Sequence, residues 1–420
     1  MKAYRSWWLV LAIVLSLSLL AACSPAAAPA PTTAPAAPAA ATKAPAAAPT
    51  TAAPAAAPTT AAPAAAPTTA APAAAPTTAP AASAAGTGIV KTKDTSKMKI
   101  VLSNSYAGNS WRQQMLKTWD AATKYAIDNH IIASTAVVNS DNSATQQNSQ
   151  IDSLILQKPD AIVINATSPT ANNGEIKKAT DAGILVVSFD SVATEPSNYQ
   201  VNYDYVGMGA DEANFVIKQL NGQGNVLEIR GIAGTSVDTD IHKGIVDTFA
   251  KSPGIKIVGS VNGNWTQTVA QQAVAGLLPS LPKIDAVVTQ GGDGYGTYQA
   301  IHAAGRPTPI IIMGNRGDEL RLWQQLLQAD PNYKTFSTSS APGVASIAFW
   351  TAQQILAGKQ VPKTFSFPAL TIQQAQLQAW INATPATGVA TPTFFTQDWT
   401  AKAIDAAVNH TAMPEVPSPQ

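Results

Sequence analysis

Two α/β lobes, each a doubly wound parallel sheet, are predicted by three observations. Short and continuously apolar runs such as residues 161–165 (AIVIN) and 184–189 (ILVVSF) mark strands buried on both faces. Between them lie amphipathic stretches of helical length, so strand and helix alternate and the sheets are parallel, with helices as covers. The alternation breaks near residues 199–205 and then restarts over a second stretch of similar size. Each half is therefore a Rossmann-like unit with its own core.

In the first half, residues 98–103 (MKIVLS) read as a strand and residues 110–129 as a helix, with Trp111, Met115, Trp119, Ala122 and Ala126 at helical spacing. A strand at 136–139, a helix at 143–157 and the strand at 161–165 follow. A helix at 172–182 is ended by Gly183, because glycine accepts the left-handed backbone that closes helices, and the strand at 184–189 comes next. The second half reads as helix 206–220, strand 225–229, helix 241–251, strand 256–261, helix 266–278, strand 286–289, helix 294–304 and strand 310–313. Ligands of such sheets sit beyond the carboxyl ends of the strands. Those ends carry an unusual density of polar and aromatic residues here.

The N-terminus has a different chemistry. Lys2 and Arg5 precede an apolar run at 6–20, which is followed by Leu20-Ala21-Ala22-Cys23, the pattern of a secretory signal too short to span a membrane. The last four residues resemble the lipobox of bacterial lipoproteins, in which the cysteine is lipidated and becomes the first residue after cleavage. Residues 1–22 are thus expected to be a signal peptide, with Cys23 as the membrane anchor. Fourteen of the chain's 31 prolines lie between Ser24 and Ala85, and PAAAPTTA repeats every nine residues from Pro45, Pro54, Pro63 and Pro72. Such sequence has no large apolar side chains to bury and favours extended chain, so residues 23–96 are expected to be a disordered tether.

Composition narrows the function. Of the 420 residues, 26 are basic and 25 acidic, giving a net charge of +1 that provides no long-range attraction for nucleic acid. Cys23 is the single cysteine, so the folded part has no disulfide, thiolate metal site or cysteine nucleophile. The four histidines, His130, His242, His302 and His410, show no metal-binding spacing. There is no GxSxG, HExxH or P-loop signature. No catalytic residue, metal or cofactor is expected, although Asp190 and Asp293 would be the pair to consider for glycoside hydrolysis.

The run from Asp141 to Ser191 resembles the N-terminal lobe of type I periplasmic binding proteins of the ribose-binding class. The features are Gln150-Ile151, the strand entry from Lys158 to Ile164, and the turn Ala182-Gly183-Ile184 into a strand ending in Asp190. Gly231 to Ser236, Asn264-Trp265, Gln290 and the stretch from Pro307 to Gly317 extend it, so that it covers residues 97–373. The resemblance implies two lobes joined by three crossovers, near residues 202–205, 339–342 and 365–371. The first lobe then comprises 97–204 and 340–367, and the second 205–339 and 368–420. It further implies a monomeric, exported protein on the outer face of the membrane, which captures a monosaccharide or polyol and delivers it to the permease of an ABC transporter. LacI-type regulators share the fold, but this chain has a secretion signal and no helix-turn-helix.

A sugar presents apolar C–H faces and a rim of hydroxyls, so its cleft needs aromatic plates and planar amide, carboxylate or guanidinium groups. After the first strand, Asn104, Tyr106, Trp111 and Arg112 suit these tasks, with core packing the other reading of Trp111. Asp190 matches the family aspartate that accepts sugar hydroxyls; Ser191 stands where ribose binders have arginine, which argues against ribose itself. In the second lobe Trp265 matches the family's aromatic position. Asp238, Gln290, Asp293 and Arg316 are candidate polar contacts, and Asp238 and Asp293 are also read as helix caps. An amino-acid ligand or a sensor lipoprotein is the alternative. The stretch from residue 375 onward, with Trp380, Phe394, Phe395 and Trp399, is expected to pack on a lobe.

Overall fold

The computed structural model describes residues 88–389 and 395–419. The signal segment, Cys23, the repeats and Phe394 lie outside the described residues. Among those described, no helix is long and apolar enough to cross a membrane.

The first lobe is a six-stranded parallel sheet in the order β2-β1-β3-β4-β5-β11. Its strands are β1 (Lys99–Asn104), β2 (Ser134–Asn139), β3 (Ala161–Asn165), β4 (Leu185–Phe189), β5 (Tyr199–Tyr203) and β11 (Thr364–Phe367). All of β3 and nearly all of β1 and β4 are buried, as both faces are covered. The covers are α1 (Ser110–Asp128), α2 (Ala144–Gln157), α3 (Asn173–Asp181) and α9 (Val344–Leu356). Local chemistry sets their ends. The Asn109 and Ser143 side chains accept the first free N–H groups of α1 and α2, and Gly183 takes a φ of +81° just after α3.

The second lobe is a four-stranded parallel sheet, β7-β6-β8-β9, made of β6 (Gly224–Arg230), β7 (Ile255–Asn262), β8 (Ala286–Val288) and β9 (Ile310–Ile311). It is covered by α4 (Tyr205–Gln219), α5 (Ser236–Phe249), α6 (Gln267–Leu277), α7 (Gly294–Ala303) and α8 (Gly317–Ala329). Helices α4 and α5 cross at two glycines. A Cβ on Gly209 would strike the Ile241 carbonyl, and one on Gly244 would strike the Val206 carbonyl. A two-stranded antiparallel ribbon of β10 (Ser337–Ser339) and β12 (Leu370–Ile372) adjoins this sheet through a bridge from Met313 to Ser337.

The chain passes between the lobes at Asp204, at residues 340–343 and at residues 368–369, where sheet membership changes. The Tyr203 hydroxyl clasps two of these passages together, donating to the Ala341 carbonyl (3.0 Å) and accepting from the Ala341 N–H (3.1 Å).

Several expectations need correction. Helix α5 starts at Ser236, not 241, because the Thr235 side chain caps it by accepting from the Asp238 N–H. Residues 88–96 are not tether: Gly88 donates to Asp405, Val90 to the Gln354 side chain and Thr92 to the Ala357 carbonyl. The C-terminal stretch is not confined to the second lobe. Helix α10 (Leu377–Ala383) packs on α8, but α11 (Gln397–Asn409) packs on α9 and β11 of the first lobe. The cause is apolar: Phe395 and Trp399 bury against each other and against Phe367.

Candidate functional site

A small pocket opens between the carboxyl ends of the two sheets, where ligands of such folds sit. The first lobe contributes Asn109, Trp111, Arg112 and Asp190. Trp111 is pinned by its indole N–H, which donates to the Ser340 carbonyl at the hinge (2.8 Å). The Arg112 guanidinium lies 5.1 Å from the Trp111 ring centroid and 3.5 Å from the Asp190 carboxylate. Burial pulls Arg112 below its ordinary range, and the neighbouring Asp190 charge opposes that pull.

Asp190 is the best-held group of the site. It follows β4 in a left-handed conformation, φ +58°, a strain that a surrounding network must hold. Its Oδ2 accepts from the Asn165 amide (3.0 Å) and its Oδ1 from the Tyr205 hydroxyl. Burial, and then the Asp190 charge, push the Tyr205 hydroxyl well above its ordinary pKa, so it stays a donor.

From the second lobe come Tyr205, Met208, Val237, Trp265, Gln290, Gly291 and Arg316, with Ser339 and Ser340 at the hinge. Trp265 and Asn264 both have positive φ, +53° and +55°, and the indole lies so close to Gly231 that a Cβ there would overlap the ring. The Gln290 amide is fixed from both ends: its oxygen accepts from the Gly231 N–H (2.8 Å) and its nitrogen donates to Asp238 Oδ1 (3.0 Å). Arg316 donates to the Trp265 carbonyl (2.5 Å) and, across the cleft, to the Ser110 hydroxyl (2.6 Å). A second bond between the lobes joins the Val192 N–H to the Ser236 hydroxyl (3.1 Å). The lobes therefore stand closed on one another.

Of the ten candidates, Trp111, Arg112, Asp190, Trp265, Gln290 and Arg316 meet in this pocket. The other four do not line it. The Asn104 amide nitrogen donates to the Tyr106 carbonyl and to Asn139, and Tyr106 folds back over Gly108. Asp238 is a two-toothed partner of Arg230, through bonds of 3.1 and 2.6 Å, and it orients Gln290 from behind. Asp293 is fully buried, and its Oδ2 accepts from the backbone N–H of Trp265 (3.2 Å). Burial lifts its pKa to about 7 even though Arg316 pulls the other way. Asp293 and Glu319 are both buried near Arg316, and burial raises Glu319 too. Tyr205 is the main residue the sequence reading passed over; it starts a helix, and only the hinge brings it to Asp190. Among the described residues no cluster of three metal-capable side chains forms.

Comparison with known proteins places this architecture. Residues 100–360 match the family described as periplasmic binding protein domain. The xylitol-binding protein of Mycolicibacterium smegmatis is 33% identical over 184 residues, covering 43% of this chain and 52% of the relative; the chain thus spans about half of that protein's length. The ribose import binding protein RbsB of Bacillus subtilis is 26% identical over 235 residues, 55% of this chain and 74% of the relative. Among solved structures, an ABC transporter solute binding protein from Thermobispora bispora superimposes with a TM-score of 0.72 at 34% identity, covering 77% of this chain and 99% of that one. With two parallel-sheet lobes, a triple crossover and a cleft at their shared edge, this chain belongs to the periplasmic binding protein family.

Proposed function

We propose that this protein is the substrate-binding lipoprotein of an ABC importer, and that it captures a monosaccharide or polyol between its lobes without chemically altering it. The observation that carries the reading is the cleft itself. Two indoles, Trp111 and Trp265, border it together with two guanidiniums, a carboxylate and a fixed amide. That set suits a ligand with apolar faces and a hydroxyl rim. The names of the relatives, which bind xylitol and import ribose, agree with a small polyhydroxylated solute. Ser191, where the resemblance would have an arginine, argues against ribose itself as the ligand. Export and anchoring are supported by the Leu20-Ala21-Ala22-Cys23 sequence behind an apolar run, and the proline-rich repeats supply the length of chain a tether needs.

Each partner in the cleft has a distinct task. Asp190 accepts hydroxyl protons on the carboxylate lone pairs that Asn165 and Tyr205 leave free, while Arg112 donates. Arg316 reaches from one lobe to the other, so a ligand that bonds both lobes favours the closed state. The test is a thermal-shift screen against pentoses, hexoses, pentitols, cyclitols, sugar acids and amino acids. A ligand at 100 times its dissociation constant adds about 2.7 kcal/mol, which is easily read as a melting shift. The expected result is a neutral polyol or sugar whose calorimetric binding is lost in Trp265→Ala. A hit among amino acids alone would overturn the reading.

A further inference from the structure

We infer that Asp238 is a positioning residue that locks the Gln290 amide with its oxygen toward the ligand, so that this point of the second lobe receives a free hydroxyl and turns away a ligand atom that brings no hydrogen. The inference rests on the reading of the protein as a sugar or polyol binder and adds which groups of such a solute are read. Gln290 lies just beyond β8 and lines the cleft, whereas Asp238, in the first turn of α5, does not. Asp238 takes both hydrogens of the Gln290 amide nitrogen, one on its Oδ1 (3.0 Å) and one on its backbone carbonyl (3.1 Å). The amide oxygen accepts from the Gly231 N–H (2.8 Å). A flipped amide would set its oxygen against the Asp238 carboxylate and its nitrogen against a backbone N–H, so these bonds would become repulsions. Asp238 is itself anchored. Arg230 donates to both of its oxygens (3.1 and 2.6 Å), the Gly231 N–H donates to Oδ1 (3.2 Å), and the Asp238 N–H donates to the Thr235 hydroxyl (3.2 Å).

An amide oxygen has two lone pairs, and Gly231 uses one. The other is what the amide offers to the cleft, beside the Trp265 ring: a Cβ on Gly231 would overlap both the indole and Gln290 Oε1. A sugar face stacked on Trp265 therefore brings its rim next to an acceptor. The second lobe then repeats the first. Asp190 is an acceptor beside the Arg112 guanidinium, and Gln290 is an acceptor in one pocket with the Arg316 guanidinium. Arg112 Nη1 and Arg316 Nε are buried without a partner. A hydroxyl serves both kinds of group, because it donates to the acceptor and accepts from the guanidinium. A keto, carboxylate or ether oxygen faces Gln290 with a second lone pair, and an unmatched buried acceptor lowers affinity about 10- to 100-fold.

Fluorine tests this, because it replaces a hydroxyl at nearly the same size and donates nothing. Xylitol, ribose and myo-inositol, each beside its monodeoxyfluoro analogues, are titrated by calorimetry into the full chain and into its Asp238→Ala and Asp238→Asn variants. The Arg230 side chain is 27% exposed, so water replaces the bonds it loses and no buried charge is stranded. With a probe that binds the parent chain, fluorine is expected to weaken binding about tenfold or more at two hydroxyls, one read by Asp190 and one by Gln290. At one of the two the loss is expected to shrink below about threefold in Asp238→Ala, where the freed amide turns an N–H to the fluorine, and to shrink also in Asp238→Asn, where asparagine offers an oxygen or an N–H with equal ease. A merely structural role would weaken hydroxyl and fluorine forms alike, so unchanged ratios overturn the inference, as does a parent chain that tolerates fluorine at every position. Where none of the three probes binds, the amide itself decides. In chain labelled with ¹⁵N-glutamine, the Gln290 side-chain signal, identified by its absence in Gln290→Met, is expected to exchange with water at least about tenfold faster in Asp238→Ala, and an equal rate overturns the inference. Binding of amino acids alone overturns the sugar reading instead, and the exchange rates still report whether the amide is locked.

Discussion

Replacing Asp190 by asparagine tests whether the cleft's carboxylate is there for the fold as well as for a ligand. The side chains of Arg112 and Asp190 are 8% and 6% exposed and 3.5 Å apart. At that distance, with an effective dielectric constant of about 20, two unit charges attract by about 5 kcal/mol. Much of that offsets the cost of taking both charges out of water, and breaking a buried pair from one side typically costs about 3–5 kcal/mol, because the remaining charge stays buried. The separation is long for a charge-assisted hydrogen bond and Arg112 keeps the Trp111 ring beside it, so Asp190→Asn is expected at the low end, near 3 kcal/mol. Arg112→Met should cost about as much, since it strands the carboxylate. The double variant, which buries neither charge, should recover more than half of the summed loss. Urea unfolding of the four proteins gives the coupling energy directly. A cost for Asp190→Asn below about 1 kcal/mol, or strictly additive single effects, would show that water enters the closed cleft and that the pair is solvated.

Three further outcomes are expected. Gly244→Ala, although alanine gains about 1 kcal/mol in helix propensity, should destabilise by a net amount of about 1–3 kcal/mol through its collision with the Val206 carbonyl, and a urea midpoint at or above that of the parent would contradict the close crossing of α4 and α5. Asp293 keeps its proton in the folded state up to about pH 7, whereas unfolded aspartate loses it near 4; the native state therefore binds more protons between those values and stability falls as pH rises through that window, by up to about 1.4 kcal/mol per unit for this group. Asp293→Asn should flatten that part of the stability profile, as measured by unfolding at half-unit steps from pH 4 to 8, and an unchanged slope would mean that Asp293 ionises normally. Cys23→Ser should abolish incorporation of labelled palmitate and move the protein from the membrane to the soluble fraction of the producing cell, each buried CH₂ of an acyl chain being worth about 0.8 kcal/mol; membrane retention without label would point to an uncleaved signal segment as the anchor.

The parallel strands were legible because burial on both faces leaves an uninterrupted apolar word, as in AIVIN of β3 and LVVSF of β4. The start of α5 was not, since Thr235-Ser-Val-Asp reads as loop until Thr235 is recognised as a cap. In the site, Asp190 and Trp265 could be found because each follows a strand pattern at a position that the family resemblance marks. Asn104, Asp238 and Asp293 stand at equally suggestive places, yet each is outside the pocket lining and turns a polar atom to Asn139, Arg230 or the Trp265 backbone. Sequence spacing places a polar group at a strand end but says nothing of which partner reaches it first. The same limit hid Tyr205, whose hydroxyl meets Asp190 only because the hinge folds α4 toward β4, and the choice of the first lobe as the seat of Trp399, which depends on packing against the distant Phe367.

The fastening of residues 88–92 decides where a load applied at Gly88 enters the molecule. Gly88, Val90 and Thr92 are fastened to Asp405, Gln354 and Ala357, all on α11 or at the end of α9, and none of these bonds touches the second lobe. A pull on Gly88 is therefore borne by one lobe alone, as by a post set in a fixed foundation. The other lobe is left unloaded by a force applied at Gly88.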